Sequence, residues 1–189
     1  GGVKCWGRNS NGQLGDGTTT DRSTPVDVSG LTSGVVAVET GRYHTCAVTT
    51  SGGLKCWGRN NSGKLGIGST TDSNAPAAVE LGTGLKAIAI ASGNNHSCVI
   101  MDNDKVKCWG HNEYGSLGTG DNLAHRGDAA DEMGDNLPII DLGTGYKAVS
   151  ITSHYQGNCS ILDNSSVKCW GTHGNGLLGG TTCGGPCGD

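Results

Sequence analysis

The chain has 189 residues, of which 35 are Gly, nine are Cys and none is Phe; 34% are hydrophobic and 4% aromatic. Glycine at that density costs helix stability through backbone entropy, which excludes an α-helical protein, and without a triplet period it excludes a collagen-like rod. The formal charge is −4 with no basic block, which argues against a nucleic-acid partner, and no apolar run approaches the roughly 20 residues of a membrane-spanning helix.

The string Lys-Cys-Trp-Gly occurs four times, opening at Lys4, Lys55, Lys107 and Lys168. Taken in chain order, residues 1–3 end a preceding unit, 4–54 form the first repeat and 55–106 the second. Residues 107–167 form the third, with an acidic insertion near 119–138, and 168–189 are a partial fourth repeat with a Cys-rich tail. The full units are 51, 52 and 61 residues long. Each opens on one phrase (KCWGRNSNGQLGDG, KCWGRNNSGKLGIG, KCWGHNEYGSLGTG) and later carries an alternating run (VVAVETG, KAIAIASG, KAVSITS) followed by a Cys-containing run (HTCAVTT, HSCVIMD, NCSILD). A chain that opens on Gly1 without a signal peptide reads as a processed product or a segment of a longer one.

Period-2 runs this short, broken by Gly, Asn, Asp and Ser, predict antiparallel strands joined by tight turns. About 50 residues with four short strands is the size of one propeller blade. The fold class is therefore all-β, with propeller-type four-stranded blades in a partial or open propeller of about three to four repeats, completed by other copies or chain segments. Trp6, Trp57, Trp109 and Trp170 are expected to be blade-packing anchors, because without Phe each supplies a large share of the apolar area.

The phrase WGRNSNGQLGDG, followed by Pro25 or Pro76 and then GRYHTCAV or GNNHSCVI, resembles the regulator of chromosome condensation repeat family. That resemblance implies a closed seven-bladed β-propeller in which part of each repeat joins the adjacent blade. The best-known member is a nuclear exchange factor for a small GTPase that also binds chromatin, so guanine-nucleotide exchange or chromatin binding is the remote functional alternative. This chain departs from that member in having few repeats, an acidic composition and regularly placed cysteines. The KCWG motif is closer to bacterial, secreted proteins that share the repeat.

Three Cys pairs recur ten residues apart, Cys46 with Cys56, Cys98 with Cys108 and Cys159 with Cys169, each bracketing a turn. In a hairpin that spacing puts two sulfurs within disulfide reach, and zinc pairs sit closer together in sequence. Disulfides imply an oxidising, extracellular or cell-surface location. Cys5, Cys183 and Cys187 are left over. By repeat logic Cys5 takes its partner from another copy or a preceding segment; with copies laid head to tail, Cys183 falls 11 residues before the next Cys5.

No nucleophile elbow or phosphate loop is present, so no enzyme activity, cofactor or metal is expected. His44 and His96, replaced by Gly157 in the third unit, read as structural hydrogen-bonding groups. Asp121, Asp128, Asp131, Glu132 and Asp135 read as a solvated acidic loop, and Arg126-Gly127-Asp128 as a chance match to an adhesion tripeptide. Candidate glycosylation sequons open at Asn60, Asn95, Asn158 and Asn164. The expected function is that of a non-enzymatic, extracellular structural or surface repeat protein, self-assembling head to tail into a ring or filament. A ligand-binding or adhesion domain of a larger secreted protein is the alternative. Expected partners are further copies of the chain, with cell-surface or glycan partners unspecified and no membrane span.

Overall fold

A computed structural model describes residues 1–122 and 125–172. Twelve strands occur among them: β1 (Lys4–Gly7), β2 (Arg22–Asp27), β3 (Val35–Thr40), β4 (His44–Thr49), β5 (Leu54–Gly58), β6 (Ser73–Val79), β7 (Ala87–Ser92), β8 (His96–Met101), β9 (Val106–Gly110), β10 (Ala148–His154), β11 (Gly157–Leu162) and β12 (Val167–Gly171). The one helical element among the described residues is a 3₁₀ turn, Gly134–Asn136.

The strands make antiparallel sheets in the orders β1-β2, β3-β4-β5-β6, β7-β8-β9 and β10-β11-β12. Each blade runs from the alternating run of one unit into the KCWG strand of the next. Sequence units and blades are therefore offset, with Lys55 of the second unit inside the sheet that begins at Val35. Pro76 sits on the outermost strand β6, where a missing N–H breaks no inner ladder. In the blade β7-β8-β9 the fourth strand shrinks to an isolated bridge, Gly110 to Arg126, plus the bond from Ile140 N–H to the Val106 carbonyl. The longer third unit thus spends its extra residues where a fourth strand would run.

Pleating sends neighbouring side chains of KCWG to opposite faces. Cys56 joins a buried cluster with Trp109 of the following blade, whereas Trp57 packs on Val3, Val28 and Leu31 of the preceding sheet. The pattern recurs with Cys98 and Cys108 against Trp170. The core is thus a series of seams between blades, each with a cysteine face on one side and a tryptophan face on the other. At two of the three seams the disulfide is formed; at the first, Cys5 takes its place unbonded.

Candidate functional site

Cys46–Cys56, Cys98–Cys108 and Cys159–Cys169 are disulfide-bonded, each with Cα atoms 4.1 Å apart across directly paired strand positions. Cys5 has the place of Cys56 on β1, but β1 pairs only with β2 among the described strands, and its sulfur is free. Burial pushes its thiol pKa up. Cys183 and Cys187 lie outside the described residues.

The tryptophans divide three to one. Trp57 and Trp109 are fully buried and Trp170 nearly so. Trp57 Nε1 donates to the Gln13 carbonyl and Trp109 Nε1 to the Lys64 carbonyl, both at 3.0 Å. The carbonyls belong to the loop after the preceding KCWG, which Gly15 and Gly66 let approach; a Cβ on Gly66 would stand 2.6 Å from Trp109 Nε1. Trp6, expected to anchor a blade in the same way, is instead 62% exposed, because no such loop covers it.

A polar chain crosses each seam beside the tryptophan. His44 Nε2 lies 2.9 Å from Ser97 Oγ, and Ser97 donates to the Lys64 carbonyl, so the imidazole is the donor. His96 Nε2 lies 2.8 Å from Asn158 Oδ1, and Asn158 Nδ2 donates to the Ser116 carbonyl. Asn158 thereby occupies the carbonyl equivalent to the one Trp109 uses, and the Trp170 indole N–H is left without a partner. Both histidines are the structural groups that the repeat pattern implied. Burial, with Lys64 and His96 nearby, lowers His44 to about 3; burial likewise brings His96 to about 4, against the bond to Asn158 and with His154 and His111 close by.

Each histidine is neutral when folded and takes a proton below about 6.5 when unfolded. Stability is therefore complete above that pH and falls as pH drops towards the folded values, by up to about 1.4 kcal/mol per pH unit for each histidine. Urea unfolding between pH 6.5 and 4.5 should show this slope, and His96→Gln should remove about half of it.

The polar residue that sequence reading missed is the Asn of WGxN. Asn9, Asn60 and Asn112 are fully buried. Each accepts from the Leu N–H five residues on (Leu14, Leu65, Leu117) and donates to a carbonyl nine residues on (Thr18, Ser69, Asp121). The signal was its recurrence at one phase of the repeat. This bonding corrects the sequon reading. Asn60 and Asn158 are buried with their amides engaged, Asn95 is half-buried with its carbonyl oxygen on Lys64, and Asn164 alone of the four is exposed, on the β11–β12 turn.

The insertion is solvent-exposed at Asp131 and Asp135, as expected, but it is also tied down by hydrogen bonds. Glu132 accepts from the N–H groups of Gly127, Asp128 and Ala129. Asp135 holds Thr83 through both its N–H and its hydroxyl, and Asp121 pairs with Arg126 at 3.4 Å. Arg126 and Gly127 are fixed at the sheet edge, so the tripeptide is no displayed adhesion loop.

Among the described residues, both ends of the blade row are uncovered. At the first, Trp6 and the β1 edge border a groove of about 470 Å³ that also contains Val38, Arg42 and Tyr43. At the last, Ile161 is 47% and Val167 59% exposed beside the half-buried Cys159–Cys169 bond. Stacked antiparallel sheets joined by repeat-phased tryptophans and loop carbonyls define a propeller-repeat protein. Family models for the regulator of chromosome condensation (RCC1) repeat match residues 1–48 and 51–100, and a second model of that repeat matches 35–64 and 87–116. The chain belongs to the RCC1 repeat family.

Among its relatives, the ultraviolet-B receptor UVR8 of Arabidopsis thaliana is 34% identical over 120 residues, 63% of this chain and 27% of that protein. The E3 ubiquitin-protein ligase HERC2 of Mus musculus is 37% identical over 184 residues, 94% of this chain and 4% of that protein. Yeast RCC1 (Prp20), solved bound to Kap60, superposes with a TM-score of 0.78 at 21% identity, covering 100% of this chain and 43% of that one. Human WBSCR16 gives 0.77 at 24%, covering 93% and 44%. The fold is thus that of an RCC1 propeller, and the chain spans under half of each of these proteins.

Proposed function

We propose that the chain is a non-enzymatic, extracellular structural module that joins end to end with further copies. The observation that carries this reading is the complementarity of its two open ends. Every internal seam sets a cysteine face, disulfide-bonded at two of the three, against a tryptophan face. Among the described residues, Ile161 and Val167 are exposed on the disulfide face of the last blade, and Trp6 is exposed on the first sheet. A contact between unlike ends is heterologous, and it closes a ring or extends a filament according to its rotation. The open β1 edge supports it further, because an unpaired strand accepts another strand, and Cys5 sits where each complete blade has its disulfide. Three disulfides support the extracellular setting.

Sedimentation and non-reducing electrophoresis test the reading together. The wild type is expected to form oligomers, with covalent bands that a reductant removes. Trp6→Asp should abolish the oligomers, whereas Cys5→Ser should abolish only the covalent bands. A monomer by both methods at high concentration overturns the assembly. A second reading, a ligand-binding or adhesion module within a longer secreted protein, is supported by the small share of the relatives' length that the chain spans. The mass of intact source material separates the two.

A further inference from the structure

Tyr43, in the turn between β3 and β4, carries three guanidinium groups around its ring: Arg42 at 5.0 Å from the centroid, Arg59 at 5.5 Å and Arg8 at 6.0 Å. Arg8 and Arg59 follow KCWG in successive units, and the third unit has His111 there. The dipeptide Arg42-Tyr43 becomes Asn94-Asn95 in the next turn, a blade that folds in the same way. Packing of the fold therefore does not require this cluster.

Among the described residues none of the three guanidiniums is ion-paired with a carboxylate, although acidic side chains outnumber basic ones 17 to 13. Three like charges on one ring repel one another, and cation–π attraction of about 0.5–1 kcal/mol at an exposed site offsets only part of that. The positive potential extends inward: Lys64 lies buried behind the cluster, its ammonium bonded to Asn95, and burial followed by Arg59 brings its pKa down to about 8 against the opposing Asp72, whose carboxylate is engaged by Asn60 and Asn11. An anion is the missing counterpart.

Two features define the class of anion. Planar guanidinium forks match carboxylates two bonds at a time, which favours Arg over Lys at such a site. Arg8, Arg42 and Tyr43 also line the groove in which Val38 stands 44% exposed, so the surface offers an apolar wall next to its charges. A segment that alternates carboxylates with aliphatic side chains satisfies both; a sulfated glycan or a nucleic-acid backbone leaves the wall bare.

We propose that Arg8, Arg42 and Arg59, gathered on Tyr43 beside Val38, form a recognition surface for an acidic protein segment, with carboxylates on the guanidinium forks and an aliphatic side chain against Val38. The surface shares its groove with Trp6, so the test uses a variant at the opposite end of the blade row to tell it from assembly. The probe is a fluorescein-labelled octapeptide of six Glu and two Leu, followed by anisotropy. Binding should be saturable and should weaken about tenfold or more between about 50 and 300 mM salt, as screening of exposed charges requires. The triple variant Arg8→Ala, Arg42→Ala, Arg59→Ala should lose about tenfold or more, and the corresponding triple Lys variant should recover only part, because it restores charge without forks. Val167→Asp, which changes the opposite end of the blade row, should bind the peptide as the wild type does even where it blocks assembly, which separates failure of this surface from failure of assembly. Arg8 and Arg42 are exposed and Arg59 is half-buried, and an unchanged circular dichroism spectrum confirms that the triple variant is folded. Equal binding by the triple Ala variant, equal binding of a Gln-for-Glu peptide, or tighter binding of a heparin oligosaccharide overturns the proposal.

Discussion

Full reduction of the three hairpin disulfides is expected to abolish cooperative unfolding at room temperature. Each bond closes a loop of residues ten apart in sequence. In the chain-entropy treatment a loop of that size stabilises the fold by roughly 2–3 kcal/mol. Three of them amount to roughly 6–9 kcal/mol, comparable with the entire stability of about 5–15 kcal/mol for a typical domain. The bonds also differ in access. Cys46, Cys56, Cys98 and Cys108 are buried in seams, whereas Cys159 and Cys169 are half-buried at the open last blade. Alkylation and mass spectrometry after mild reductant should therefore find Cys159 and Cys169 modified first, with the other four protected until denaturant is added. A fully reduced chain that keeps a sharp thermal transition within a few degrees of the oxidised one would refute this account.

The cysteine pairing was legible because a repeat reports strand neighbours directly: ten residues bracketing a turn place Cys98 opposite Cys108. Strand identity was legible for the same reason, since period-2 runs and turn residues recur together. The phase of the blades was not. A repeat can be cut anywhere along the sequence, whereas the sheet boundary is set by which strands exchange backbone hydrogen bonds, and β5 pairs back to β4 across residue 55. Trp6 looked equivalent to Trp57 because burial is a property of what covers a residue, and the covering loop belongs to a neighbouring repeat. Asn60 and Asn158 looked like sugar acceptors because a sequon records three residues and nothing of their hydrogen bonds. The Arg8–Arg42–Arg59 cluster drew no attention for a related reason. Its members are far apart in sequence and dispersed in an acidic chain, so only the turn geometry around Tyr43 collects them.

The seams make one further strong demand on the tryptophans. Trp109→Ala is expected to destabilise the chain by about 3–5 kcal/mol, the usual cost of truncating a fully buried large aromatic. Trp6→Ala, at the chemically identical position of the first sheet, should stay within about 0.5 kcal/mol in the monomer, as exposed substitutions do. Trp109 touches the disulfide face of the blade before it, and its indole N–H shares the Lys64 carbonyl with Ser97. Its removal opens a cavity at a seam, so the damage reaches both neighbouring blades. Trp170→Ala should cost less than Trp109→Ala, since that indole has no hydrogen-bond partner to lose. Urea midpoints of the three variants order them. Because each blade of such an array contacts only its neighbours, a single broken seam should also split one transition into two. If Trp6→Ala and Trp109→Ala shift the midpoint equally, burial at the seam is not what holds the blades together.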